Sequence, residues 1–155
     1  MTSARAPLQP PSPHKRRSMQ SQRERDTAPE LALRRALHTR GLRYFVHRRP
    51  VSGLQREADI VFVRARVAVF VDGCFWHGCP EHGTYPKNNA EWWRTKLDRN
   101  RARDADTDLK CRSADWEVVR VWEHERAGDA ADRVERIVRT RVAESLVGPH
   151  AGEAK

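Results

Sequence analysis

An α/β (α+β) sandwich, with a mixed central sheet flanked by helices, is predicted by three features of this 155-residue chain. Ile60-Val61-Phe62-Val63 and Val67-Ala68-Val69-Phe70-Val71 are continuous apolar runs too short for helices, separated by the charged turn Arg64-Ala65-Arg66. Runs of that kind belong to strands buried on both faces, and such a sheet needs helices over it. Segments near both ends of the chain carry apolar residues at helical spacing. The order helix, strands, helix, strand, helix then specifies the layers.

Residues 1–25 are rich in Pro, Ser, Gln and Arg and have almost nothing to bury, so they read as a disordered basic arm. Within it, Lys15-Arg16-Arg17-Ser18-Met19 lies nearest the folded part. A helix is expected to begin at Thr27, because Thr27 and Glu30 form a capping-box pattern and Pro29 falls in the first turn. Leu33, Ala36 and Leu37 continue it, and Gly41 ends it. Arg43–Arg49 alternates weakly as a strand, stopped by Pro50 and the Ser52-Gly53 turn. The two apolar strands follow, then an irregular stretch from Gly73 to Asn89. A charged helix runs from Ala90 to about Lys110, with Asn89 as a cap. Trp116–Trp122 is a third buried strand, with its tryptophans in the core. Ala127–Leu146 is a closing helix with Val134, Ile137, Val138 and Val142 on one side. The folded domain is thus expected over 26–147, with 148–155 a frayed tail.

Lys and Arg number 30 against 21 Asp and Glu, a formal charge of +9, and the cations are mostly arginine. The guanidinium fork suits phosphate and guanine, which points to a polyanionic partner. No apolar stretch approaches the roughly 18 residues of a membrane span, and no signal-peptide pattern opens the chain, so a cytoplasmic, nucleoid-associated protein is expected, without a membrane partner. Three cysteines in a reducing compartment favour metal over disulfides.

Chemistry concentrates in Val71-Asp72-Gly73-Cys74-Phe75-Trp76-His77-Gly78-Cys79-Pro80-Glu81-His82. Two Cys and two His in nine residues exceed what packing requires. Cys74, Cys79 and His82 offer three of zinc's four tetrahedral ligands. His124, just past the third buried strand, is a candidate fourth, with Cys111 its rival. His77 either replaces His82 in that set or stands outside it as a general base, its ordinary pKa of about 6.5 suiting proton transfer near neutrality. Asp59 opens an apolar strand, where an unpaired carboxylate is costly to bury. Asp72 closes the neighbouring strand. Two carboxylates at adjacent strand ends suit a hard cation such as Mg²⁺, which polarises a phosphate and activates water.

Glu30 in Asp26-Thr27-Ala28-Pro29-Glu30, Glu57-Ala58-Asp59-Ile60-Val61, the Asp72-Gly73-Cys74-Phe75-Trp76-His77 core, Trp92-Trp93 with Lys96, Asn100 and Asp104, and Val121-Trp122-Glu123-His124 follow one another in an order that resembles the very-short-patch-repair (Vsr) DNA mismatch endonucleases. The resemblance spans about residues 15–125. It implies a PD-(D/E)xK restriction-endonuclease-like fold with a structural Zn²⁺, and Mg²⁺-dependent nicking of one strand 5′ to the thymine of a T·G mismatch. It further implies that Asp59, with the main-chain carbonyl of Val71 as neighbour, holds Mg²⁺, with His77 as base and Glu30 and Asp104 as supporting acids; Asp72, by its place at the strand end, is expected to join that metal shell. Phe75, Trp76 and Trp93 would wedge into the mismatched step, which opens more readily than a paired one. Arg17, Met19 and Lys96 complete the expected DNA contacts. Mismatch-repair proteins and a repair polymerase are the implied partners, with a monomer sufficient to nick one strand. Departures are Ala58 where the wider class has proline, Cys74 where it has lysine, and Asp72 where some relatives have histidine. Two other readings stand beside this one: a restriction-like nuclease acting on paired DNA, and a zinc DNA-binding module without catalysis.

Overall fold

A computed structural model of the protein describes residues 25–74, 79, 81 and 88–148. In chain order the elements are α1 (Ala28–Thr39), β1 (Phe45–Arg48), β2 (Ala58–Phe62), β3 (Val67–Asp72), α2 (Ala90–Ser113), β4 (Glu117–Trp122) and α3 (Ala127–Leu146). The expected mixed sheet is present, four-stranded in the order β1-β2-β3-β4. β1–β2 and β2–β3 pair antiparallel, whereas β3–β4 is parallel and bridged by α2, as a parallel pair requires.

Two apolar clusters cover the sheet. One joins Leu33 and Leu37 of α1 to Ile60, Val69, Val121 and to Val134 and Val138 of α3. The other sets Cys111 of α2 and Trp116 against Val61, Ala68, Phe70 and Val118. Burial on both sides is what the unbroken apolar runs foretold. No helix among the described residues is long and apolar enough to cross a membrane.

Element ends explain the differences from expectation. Thr27 caps α1, accepting from the Glu30 N–H at 3.5 Å, but the Glu30 carboxylate reaches back to the Asp26 N–H at 3.0 Å, one residue short of a reciprocal box. Gly41, at φ +78°, donates to the His38 carbonyl at 2.9 Å while Leu42 donates to that of Leu37 at 3.2 Å, the paired bonds of a Schellman stop. Asn89 precedes α2 in a left-handed conformation (φ 58°) and its side chain makes no capping bond, so the sequence-based cap is corrected. β2 starts at Ala58 rather than Ile60, which places Asp59 inside the strand and leaves Val63 exposed. β4 starts after Trp116, which is buried, while Trp122 is only partly so.

The two outer strands differ. β1 is short and largely exposed. β4 has side chains along its outer side: Arg133 Nη2 donates to the Arg120 carbonyl at 2.8 Å, and Glu125 Oε1 accepts from the Trp122 N–H at 2.9 Å. Leu37 is completely buried between α1, the sheet and α3. Leu37→Ala is expected to cost about 2–5 kcal/mol, read as a lower urea midpoint at unchanged m-value.

Candidate active site and metal centre

The topology gathers distant residues at one end of the sheet. β3 and β4 run parallel and β2 runs against them, so the start of β2 lies beside the ends of β3 and β4. Ala58-Asp59, Val71-Asp72 and Trp122 with its following turn therefore share that end.

Asp59 stands where backbone pairing between β2 and β3 ceases, beyond the Ile60–Val69 pair. Its Oδ2 accepts the Val71 N–H at 2.7 Å, a side chain completing the ladder. A strand residue's N–H and C=O point to the same edge, so the Val71 carbonyl also faces the Asp59 side. Burial pushes the Asp59 carboxyl up to about 6, and the negative charges of Glu30 and Asp72 add to the rise. The Val71 N–H and the Arg56 cation oppose it.

Asp72 is almost fully buried, and both its oxygens accept from Arg120 Nη1, at 3.1 and 3.2 Å. The Arg120 guanidinium also binds Asp108 (Nη2 to Oδ1, 2.5 Å) and the Asp104 carbonyl (3.3 Å), and lies 4.4 Å over the Phe70 ring. Arg56 hydrogen-bonds the Asp104 carboxylate and stands 3.9 Å from Asp72. Glu30, also buried, pairs with Arg34 at 3.2 Å within a cluster that includes Asp26 and His47.

The fit to a hard divalent cation follows from these donors. Asp59, Asp72, Asp104 and Asp108 bring four carboxylates against the two guanidiniums of Arg56 and Arg120. Two positive charges would offset the excess, and Asp59 with the Val71 carbonyl supplies oxygen ligands of the kind Mg²⁺ takes. Asp72, expected to ligate, accepts from Arg120 through both oxygens.

Three of the Cys/His candidates come together in the structure. Cys74 Sγ and Cys79 Sγ lie 3.1 and 3.7 Å from His124 Nδ1. Zinc bonded at about 2.3 Å to sulfur and about 2.0 Å to nitrogen would set tetrahedral S···N edges near 3.5 Å, so the three atoms fit such an ion. Both cysteines are buried, and burial with Cys79 alongside pushes the Cys74 thiol up to about 11. That is a costly pocket for a free thiolate and a suitable one for a metal-bound thiolate. The Cys79 N–H donates to the Cys74 carbonyl at 2.9 Å, and the Cys74 N–H to Glu123 Oε1 at 3.0 Å. Glu81 stands 3.6 Å from His124 Nε2, where a carboxylate orients a ligating imidazole. Cys111, the rival ligand, is wholly buried in the apolar cluster of Phe70 and Trp116, on the sheet rather than at its end.

The aromatic expectations divide. Trp93, placed at the DNA by sequence, is 3% exposed, packed edge-on against Trp92 at 4.8 Å. Lys96 lies 5.1 Å over the Trp92 ring. Trp122, expected in the core, stacks on His124 at 6.4 Å. Arg17, Met19, Phe75, Trp76, His77 and His82 lie outside the described residues.

Sequence reasoning missed Arg56, Arg120, Asp108 and Glu123. Arg120 had a signal: a lone cation in Val118-Val119-Arg120-Val121 must find buried anions. Asp104 and Asp108, four apart on α2, are those anions.

Two outcomes are expected here. Between pH about 3.8 and about 6 the folded chain holds a proton on Asp59 that the unfolded chain has released, so metal-free stability falls as pH rises through that window. Asp59→Asn should therefore raise the metal-free unfolding free energy at pH 7.5, by less than the about 3 kcal/mol that about 1.36 kcal/mol per pH unit gives, with a higher melting midpoint there and none of this gain at pH 3.5. Purified protein should carry one zinc by elemental analysis, and Cys79→Ser should lose it and melt lower. A full zinc complement in Cys79→Ser would remove that residue from the site.

The profile described as DNA mismatch endonuclease Vsr matches residues 11–82. The type II nicking enzyme V.NaeI of Lentzea aerocolonigenes is 47% identical over 121 residues, covering 76% of this chain and 72% of the relative. The type II nicking enzyme V.XorIIP of Xanthomonas oryzae pv. oryzae is 41% identical, with 74% and 83% covered. The DNA mismatch endonuclease Vsr of Escherichia coli K12 is 32% identical over 111 residues, with 69% and 67% covered. The profile match includes Asp59 and Cys74, and together with relatives of this identity and coverage it shows that the chain belongs to the Vsr family of DNA endonucleases.

Proposed function

We propose that the protein nicks one strand of duplex DNA 5′ to the thymine of a T·G mismatch, by Mg²⁺-dependent phosphodiester hydrolysis. The observation that carries the reading is Asp59: a half-buried carboxylate beside the Val71 carbonyl, at the sheet end where acidic side chains converge, in a chain related to proteins named as nicking and mismatch endonucleases. Mg²⁺, when bound by Asp59 and the Val71 carbonyl, supplies Lewis-acid polarisation of the phosphate.

The chain's own residues divide the remaining work. His77 takes a proton from the attacking water, its imidazole suited to transfer near neutrality. Asp104 and Glu30 order the polar groups around Asp59, each anchored by an arginine, Arg56 and Arg34 respectively. Asp72 serves through Arg120, which it holds in place across β3 and β4. Cys74, Cys79, His124 and His82 hold a structural Zn²⁺ that fixes the turn after β3 to the turn after β4. Phe75 and Trp76 wedge beside the mismatch, while the arginine-rich surface and the segment around Arg17 and Met19 follow the phosphates.

The nicking enzymes among the relatives are named for the cut and not for the base pair they require. The decisive comparison is therefore between a T·G duplex and its T·A counterpart under single-turnover conditions with Mg²⁺. The T·G duplex should be nicked at least about 100-fold faster, and equal rates would refute mismatch selectivity. Asp59→Ala should abolish nicking of both while DNA affinity by electrophoretic shift stays at or above that of the unaltered chain.

A further inference from the structure

We propose that Arg56 contacts a non-bridging oxygen of the scissile phosphodiester and stabilises the negative charge that develops there. The proposal rests on the reading of Asp59 as the centre of the active site. Arg56 precedes Asp59 by three residues, at the entry to β2. Its guanidinium reaches three of the acids gathered there: Nη1 is hydrogen-bonded to Asp104 Oδ1, Nη2 is 3.9 Å from Asp72 Oδ1, and its charge acts on Asp59. Phe70 forms a floor beneath it, with the guanidinium carbon 5.7 Å from the ring centre.

The contrast with Arg120 gives Arg56 its role. Arg120 shares the Phe70 floor but spends Nε, Nη1 and Nη2 on Asp108, Asp72 and the Asp104 carbonyl. That arginine holds the fold. Arg56 keeps 32% of its side chain exposed and, among the described residues, makes one hydrogen bond, through Nη1. An arginine carries five N–H donors in a planar fork matched to two oxygens of a phosphate. Asp104 thus orients the fork from one side, and Nε and Nη2 make no hydrogen bond among the described residues. A phosphate brought to Asp59 meets several carboxylates, whose repulsion this cation is placed to offset.

Magnitudes separate this role from general DNA affinity. The chain carries 30 Lys and Arg, so one guanidinium is a small part of the attraction for a polyanion. A donor aimed at charge that develops during the reaction instead changes rate, by about 10²–10³ when removed. The loss should therefore fall on the chemical step and spare binding.

The test uses the full chain, a T·G duplex and Mg²⁺. Arg56→Ala is expected to lower the single-turnover nicking rate about 10²–10³-fold, with the duplex dissociation constant within about threefold of the unaltered chain and the melting midpoint unchanged. Added guanidinium should restore part of that rate in Arg56→Ala and none in Asp59→Ala. Arg56→Lys keeps the charge without the fork, and a loss of about tenfold is expected, which preserves the test if Arg56→Ala fails to fold. A rate within about threefold of the unaltered chain in either variant would overturn the proposal. So would a loss that guanidinium does not relieve and that parallels a lower melting midpoint, because Arg56 would then merely brace Asp104. If Asp59→Ala nicks at full rate, the active-site reading itself fails, and Arg56 with it.

Discussion

The Arg120 guanidinium is the tie on which the arrangement of β3, β4 and α2 depends. It rises from an otherwise apolar strand, and a buried cation is tolerated only when its donors find anions. Asp72 at the end of β3 and Asp108 on α2 supply them, the Asp104 carbonyl takes a further donor, and Phe70 forms the floor. Three elements are fixed to one planar group. The middle of α2, which buries Trp93 and Leu97 toward its start and Cys111 toward its end, would otherwise face the sheet with acids and nothing to meet them. Because α2 is held in this way, Asp104 arrives beside Arg56 and within reach of Asp59's end of the sheet.

The same tie couples the two polar clusters. Asp72, gripped through its side chain, accepts the Glu123 N–H at 2.9 Å through its main chain. Glu123 in turn accepts the Cys74 N–H, and His124 follows it to meet Cys74 and Cys79. Antiparallel pairing of β2 with β3 and parallel pairing of β3 with β4 put the first residues of one strand beside the last residues of two others. The acidic cluster and the sulfur–imidazole cluster are therefore neighbours by topology, and no long loop is needed to bring them together.

Much of this was legible in the residues. The buried strands were plain because unbroken apolar runs have few other uses, and Thr27 and Gly41 marked α1 by local chemistry. Asp59, Cys74 and Cys79 stood out because each is expensive to bury without a reason. α2 was harder. Its inward stripe exchanges apolar residues for Asp104 and Asp108, so hydrophobic spacing is interrupted where the helix meets Arg120. Ion pairs across 12 and 48 positions of sequence leave no periodic trace. The burial of Trp93 rather than Trp92 likewise depends on which side of α2 meets the sheet, a fact of tertiary packing that adjacent identical residues cannot disclose. Cys111 read as a candidate ligand by composition, and only the placement of α2 over Phe70 and Trp116 makes it a core residue.

The outer strands carry a consequence for behaviour at high concentration. An open sheet edge offers unpaired amides to any passing chain and invites runaway strand addition. On the β4 side, Arg133 and Glu125 occupy the outward carbonyl of Arg120 and the outward N–H of Trp122, so two of that rim's groups are bonded within the molecule. On the β1 side, four residues only are extended, His47 twists the backbone to φ 48°, and Arg48, Arg49 and Pro50 follow at once. A docking strand would find a short, kinked and positively charged border. Among the described residues the sheet ends at four strands, and both of its rims work against the addition of another.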